Sequence, residues 1–356
     1  MVVKYVGADV HSQYTQFVGL DKNGRVLFQQ EVATEADLVY EFVCSIRGEV
    51  RLAVEEGTQS MWLYGLLSPY VKEMIVCNRR KQGWRSQIVC KSDFKDALTV
   101  ADGLRLGTLL PVFKGYSERV KAMKQLATSY SRLTGDVARA KSRVSALYHG
   151  VGMASCTGMY SEPRRTELLR LVPCPGIRSR LELLYAQLDA VDAVRKESLQ
   201  RLVEESKRHQ ARKLLLTIPG IGAVRAAQLI GEIGTPHRFP NRQNFWSYCG
   251  LAVVHRSSGT TKRGKDGRPI HDKRKVSTRG LNLNRNPILK NIFKGAEMTA
   301  RRYSKEFAQL YDYHVNRGLD ESVARVHLAR KLASLTLSIW KKGVKYDPAY
   351  LKHTNM

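Results

Sequence analysis

Four carboxylates stand at the ends of predicted elements. Asp9 closes the short apolar run Val3-Lys4-Tyr5-Val6-Gly7-Ala8-Asp9, and Glu55 follows a second run, Val50–Val54. Asp93 and Asp96 lie three apart at the start of a helical stretch, a spacing that puts both side chains on one helical face. Carboxylates gathered at a sheet edge repel one another unless a divalent cation sits among them. Mg²⁺, or Mn²⁺ in its place, is held in this way by a few carboxylate oxygens together with substrate phosphate. A pair of such ions stabilises both the attacking and the leaving oxygen of a phosphodiester. The plainer alternative is a set of strand-end turns and a helix N-cap at Ser92-Asp93.

Two later segments carry the chemistry of phosphate contact. Leu216-Thr217-Ile218-Pro219-Gly220-Ile221-Gly222 joins two helical stretches, which is the helix-hairpin-helix pattern. There Gly220 and Gly222 would let backbone N–H groups approach a nucleic-acid phosphate, aided by the next helix N-terminus; a tight turn between packed helices is the alternative. Further on, His255-Arg256-Ser257-Ser258-Gly259-Thr260-Thr261-Lys262-Arg263-Gly264 opens a basic segment that continues into Lys265. A serine hydroxyl attacks poorly unless charge around it is neutralised. Ser258 stands among Arg256, Lys262 and Arg263, which suits it to a phosphate; a loop that hydrogen-bonds itself has the same composition. Arg256, Lys262, Arg263 and Lys265 are the cations expected on DNA or RNA.

The elements that must position these groups are legible in outline. Residues 3–9, 15–20 and 26–28 predict three strands, the last two joined by the hairpin turn Asp21-Lys22-Asn23-Gly24. Glu35–Ile46 predicts a helix, Val50–Val54 a strand, Ser60–Leu67 a helix, Val71–Cys77 a strand and Lys91–Gly107 a helix. That order implies an α/β domain with a mixed sheet over 1–115. From 116 to 210 the pattern changes to long helices. Leu126, Tyr130, Leu133, Val137, Ala140, Val144 and Leu147 follow a coiled-coil rhythm, and Leu181, Leu184, Leu188 and Val191 begin a second seam that runs on to Leu202. The two helices would either pair with each other or form an assembly stalk. Gly150–Pro175, rich in Gly, Pro and Cys, reads as a linker or small insertion. Residues 211–356 predict a mainly helical domain interrupted by Arg256–Lys290, a loop or β-ribbon.

Charge follows the same division. The 356 residues carry a net charge of +27, yet residues 1–110 hold 13 basic and 13 acidic groups. Residues 111–240 hold 22 basic and 11 acidic groups, and residues 241–356 hold 24 and 8. A neutral domain joined to a basic one suggests catalysis in the first and polyanion binding in the second. No apolar stretch approaches the ~20 residues that span a bilayer, and the N-terminus lacks signal-peptide anatomy. The six scattered cysteines contain no CxxC pair and read as reduced thiols of a cytoplasmic protein.

The ordered combination resembles a known family. Gly7-Ala8-Asp9-Val10-His11, Val54-Glu55-Glu56-Gly57-Thr58 and Lys91-Ser92-Asp93-Phe94-Lys95-Asp96-Ala97 are similar to the N-terminal domain of the DEDD insertion-sequence transposases, the IS110 family. Ile218-Pro219-Gly220-Ile221-Gly222, Tyr248-Cys249-Gly250-Leu251 and Arg256-Ser257-Ser258-Gly259 resemble its C-terminal domain. The resemblance implies a RuvC-like (RNase H-like) N-terminal fold in which Asp9, Glu55, Asp93 and Asp96 bind Mg²⁺. It implies that Ser258 is the nucleophile that becomes joined to DNA. It also implies tetramers, assembled through the long helices, in which the serine of one subunit completes the acidic site of another. Many members use a structured guide RNA that pairs with donor and target DNA. The chain departs from the family at the doublet Glu55-Glu56: Glu55 is chosen because it directly follows the apolar run, while Glu56 would point to the opposite face. Ser258 is chosen over Ser257 because a glycine follows it. The alternatives are a hydrolytic RuvC-like junction endonuclease and a nucleic-acid-binding protein without activity.

Overall fold

The computed structural model describes residues 2–77, 92–109, 111–113, 117–256, 261–263, 269–271 and 277–352. The chain forms two compact units, Met1–Ser117 and Glu118–Met356. The long helices and the basic region, which the pattern separates near residue 210, therefore fall within one unit.

In the first unit the elements run β1 (Val3–Val10), β2 (Tyr14–Leu20), β3 (Val26–Ala33), α1 (Ala36–Ser45), β4 (Glu49–Glu55), α2 (Ser60–Leu67), β5 (Glu73–Cys77), α3 (Asp93–Arg105) and β6 (Pro111–Phe113). The six strands form one sheet in the order β3-β2-β1-β4-β5-β6. β1, β2 and β3 pair antiparallel, β4 pairs parallel with β1 and with β5, and β6 returns antiparallel on β5. This mixed sheet is the RuvC-like α/β arrangement that the resemblance implies.

Side-chain alternation assigns the two faces of the sheet. Val6, Ala8, Phe17, Val50, Leu52 and Val54 pack with Val39, Val43, Leu63 and Leu67 of α1 and α2. On the other face Ala53 and Cys77 meet Val100 and Leu104 of α3, while Val18 and Leu20 meet its Ala97 and Ala101. Gly7 belongs to this second face. A Cβ built there would lie 2.1 Å from the carbonyl oxygen of Ala97 and 2.5 Å from the nitrogen of Ala101. α3 therefore rests directly on the backbone of β1, and only glycine admits that approach.

The second unit opens with α4 (Glu118–Gly150), followed by α5 (Glu162–Leu171), α6 (Pro175–Ser206), α7 (Gln210–Leu215), α8 (Ala223–Ile233) and α9 (Arg242–Tyr248). Short strands follow, β7 (Val253–Arg256), β8 (Thr261–Arg263), β9 (Pro269–His271) and β10 (Ser277–Leu281). α10 (Pro287–Tyr303), α11 (Lys305–Asn316), α12 (Glu321–Lys342) and α13 (Ala349–Lys352) complete the chain. Among the described residues no helix is long and apolar enough to cross a membrane.

The two seams pair with each other inside the chain. Val137, Ala140, Val144 and Tyr148 of α4 share a core with Leu181, Tyr185 and Leu188 of α6. Their other ends, at Met123, Ala127 and Leu202, enter the core of the C-terminal helices. The apolar rhythm anticipated for an assembly stalk is thus largely occupied by intramolecular packing. Residues 150–175 are a folded insertion that includes α5, with Leu168 buried against this core. Arg165 clamps it to α6 through bonds of 2.5 and 2.7 Å to the two carboxylate oxygens of Asp189.

Candidate metal centre and nucleic-acid surfaces

β1 and β4 run parallel with Ala8 opposite Val54, so the next residues, Asp9 and Glu55, come side by side at the carboxyl ends of the two strands. Open α/β sheets place their ligand sites at such ends. Strand parity puts Asp9 with Gly7, and Glu55 with Ala53, on the face that α3 covers. Glu56 lies beyond the strand, its N–H donating to the Cys77 carbonyl at 2.8 Å. Ser92 caps α3, accepting from Lys95 N–H at 3.4 Å. Asp93 is therefore the first helical residue rather than the cap itself, and Asp96 follows in the same turn.

Two residues not singled out from sequence complete the cluster. His11 and Tyr14 end a tight hairpin closed by a 2.9 Å bond from His11 N–H to the Tyr14 carbonyl. The His11 Nε2 lies 3.3 Å from Asp9 Oδ2 and 3.5 Å from Asp93 Oδ1. Tyr14 donates its hydroxyl to Asp93 Oδ2 at 2.7 Å, and its ring lies 5.0 Å from the imidazole. Position 11 shares a strand face with position 9, which was the available signal; nothing in the sequence marks Tyr14.

Electrostatics and donor chemistry fit a cation. Burial pushes the Asp9 carboxyl above its ordinary range; His11 opposes this, while Asp96 and Asp93 add to it. Like charges are thus crowded on a half-buried acid, the condition that a divalent ion relieves. Asp9, His11 and Asp93 each offer one ligand atom, all within 4.8 Å of one another. Buried His11 Nε2 makes no hydrogen bond of good geometry, leaving a nitrogen directed at the carboxylates. Glu55 and Asp96 lie outside that three-residue group, although the sheet places Glu55 beside Asp9.

In the second unit the Pro219-Gly220-Ile221-Gly222 turn does join two helices, α7 and α8. Its glycines differ in surroundings. Gly220 has φ +83°, and a Cβ there would lie 2.2 Å from the Ala296 carbonyl of α10. That glycine is required by packing, whereas Gly222, at the N-terminus of α8, meets nothing within 4 Å.

The basic segment forms two small antiparallel ribbons, β7 with β10 and β8 with β9. Arg256 ends β7, and Lys262 and Arg263 lie in β8. Ser257, Ser258 and Lys265 lie outside the described residues. The root of the segment is pinned: Asn282 N–H donates to the Ala252 carbonyl at 2.9 Å, and its side chain donates to the Ser247 carbonyl at 3.0 Å.

Asp9 at the end of β1, His11 just beyond it and Asp93 at the start of α3 offer a ligand set for a cation on a RuvC-like sheet, with Glu55 at the adjoining strand end and Asp96 in the same turn of α3. Family models match both halves of the chain: the DEDD transposase model over residues 6–151 and the Transposase IS116/IS110/IS902 family model over residues 212–312. The chain belongs to this IS110-type transposase family. It is 24% identical over 327 residues to the 44.8 kDa protein of insertion element IS116 from Streptomyces clavuligerus, covering 76% of this chain and 81% of that one. It is 27% identical over 173 residues to the 43.6 kDa protein of insertion element IS110 from Streptomyces coelicolor, covering 49% of this chain and 38% of the relative.

Proposed function

We propose that the protein is a DNA transposase that cuts and rejoins strands to move an insertion sequence. The observation that carries this reading is the convergence of Asp9, Asp93 and His11 at the strand ends, in a chain of this family. Asp9 and Asp93, with His11 and the neighbouring Glu55 and Asp96, would hold Mg²⁺ or Mn²⁺. When bound, such an ion neutralises charge on a phosphodiester and orients it.

Ser258 supplies the nucleophile. Its oxygen forms a bond to phosphorus as the bond from phosphorus to the 3′ oxygen breaks; the serine proton is lost and the 3′ oxygen leaves as a hydroxyl. The 5′ phosphate is then held as a serine ester, and attack by another 3′ hydroxyl releases the serine and rejoins DNA. Arg256, Lys262, Arg263 and Lys265, with the open Gly222 turn, contact donor and target DNA or a structured guide RNA, largely through phosphates. Base pairing with the RNA then selects the sequence. The working form is a tetramer in which one subunit's serine completes another's acidic site. It acts in the cytoplasm, at the nucleoid.

The test uses end-labelled DNA spanning an element junction, RNA transcribed from the element's flank, and Mg²⁺. A labelled covalent adduct that disappears in Ser258→Ala is the expected result. Cleavage without an adduct identifies a hydrolytic nuclease and rejects the serine ester.

A further inference from the structure

A cavity of about 520 Å³ opens in the second unit between α9 and α12, within the ~300–1,000 Å³ typical of small-ligand pockets. Arg242 and Trp246 wall it from α9, and His327, Arg330, Lys331 and Leu335 wall it from α12. Among the described residues no carboxylate lines it.

The indole is held in place. Trp246 Nε1 donates to the Arg330 carbonyl at 3.1 Å and to Ser334 Oγ at 3.0 Å. The Arg242 guanidinium carbon lies 5.5 Å from the ring centroid. Arg330 and Lys331 are anchored to carbonyls, Nε of the first to Leu251 at 2.6 Å and Nζ of the second to Tyr350 at 2.9 Å. Burial pushes Arg330, Lys331 and His327 below their ordinary values. Cations set around an apolar wall, with no lining acid among the described residues, are complementary to an anion with a flat apolar part. Single strands are held by the same pairing of aromatic platform and positive groove.

We propose that this cavity receives one unpaired nucleotide of a nucleic-acid strand, the base against Trp246 and Leu335 and the phosphate toward Arg242 and Arg330. The proposal rests on the reading that the chain handles nucleic acid, and is independent of the acidic cluster and of Ser258.

The experiment takes the full chain with two short duplexes, one fully paired and one carrying a single unpaired 5-iodouracil. After irradiation the expected adduct maps to the peptide containing Trp246. The bulged duplex binds about tenfold more tightly than the paired one, the scale set by one base–aromatic stack. Ser338→Trp, at an exposed position on the cavity wall, fills the space. It removes the adduct and the preference while leaving paired-duplex affinity and melting temperature unchanged. Arg242→Glu, also exposed, gives the same loss without filling the cavity. An adduct that maps elsewhere, or that persists in Ser338→Trp, overturns the pocket alone. Inorganic phosphate that competes as well as thymidine monophosphate also overturns it, because the site would then recognise no base. Failure of the wild-type chain to bind either duplex overturns the nucleic-acid reading as well.

Discussion

The Tyr14 hydroxyl donates to Asp93 Oδ2 at 2.7 Å, across 79 residues of chain. This bond ties the start of an antiparallel strand to the first turn of the helix on the opposite side of the cluster. It occupies one carboxylate oxygen of Asp93 and leaves Oδ1 on the side of His11. The carboxylate is thereby held in one orientation.

Tyr14→Phe keeps the ring beside His11 and removes only the donor. Outer partners of ligand side chains commonly set ion affinity by a factor of about ten or more. Mn²⁺ titration calorimetry should show affinity about tenfold weaker with an unchanged melting temperature. Equal affinity in the variant would remove Tyr14 from any orienting role.

Gly7→Ala probes the seat of α3. Its methyl would enter the space held by the Ala97 carbonyl and the Ala101 nitrogen, so helix and strand must separate. Overpacking of this kind costs about 1–3 kcal/mol, readable by urea unfolding. Ion binding should weaken in parallel, since Asp93 moves away from Asp9. Loss of stability with intact ion affinity would show that the cluster does not depend on this contact.

The two glycines of the hairpin turn separate packing from phosphate contact. Gly220→Ala meets the α10 backbone and a left-handed φ, and should cost about 1–3 kcal/mol. Gly222→Ala meets nothing within 4 Å and should stay within about 0.5 kcal/mol of wild type, while DNA affinity falls. Undiminished DNA binding in Gly222→Ala would reduce the turn to a connector.

Glu232 supplies a dependence on pH. It is half-buried on α8, with one oxygen accepting from Asn286 Nδ2 at 2.6 Å. Burial raises its pKa, against the Asn286 bond and the charges of Lys124 and Arg238. The folded chain therefore binds this proton more tightly than the unfolded chain. The stability it contributes is complete below the ordinary value of 4.5, and is lost as pH rises through the raised folded value. Glu232→Gln carries no charge and keeps an acceptor for Asn286. It should raise the melting temperature by a few degrees at neutral pH, with the difference closing in acid. A gain of equal size at both pH values would rule out charge burial as its cause.

Local pattern and global pairing differ in how far the sequence exposes them. The strands, the Asp21–Gly24 turn and α3 are readable because turn residues and apolar alternation are local signals. Glu55 is chosen over Glu56 because it directly follows the apolar run Val50–Val54, and the sheet places it on the α3 face with Asp9. β6, with three residues, is too short to leave a periodic signal. The insertion at 150–175 has the Gly, Pro and Cys content of a linker, yet Leu168 and the Arg165–Asp189 clamp hold it to α6. The heptad spacing identified an apolar stripe without naming its partner, which here is the other helix of the same chain. His11 shares a face with Asp9 in the sequence, but its meeting with Asp93, like that of Tyr14, depends on how β1, β2 and α3 come together.

α4 and α6 each serve two cores, one around Met123, Ala127 and Leu202, the other around Val137, Val144, Leu181 and Leu188. A helix advances about 100° per residue. Deleting one residue from α4 between Ala127 and Val137 would leave both ends helical but turn one apolar face away from its core. A compensating deletion in α6 would not correct the phase of α4. A change of about seven or about eleven residues returns the stripe to within about 20°, and it must be matched in the antiparallel partner. The separation of the two cores is therefore quantised: the exposed positions between them can drift in sequence, but length can change only in steps that restore helical phase, taken in both helices together.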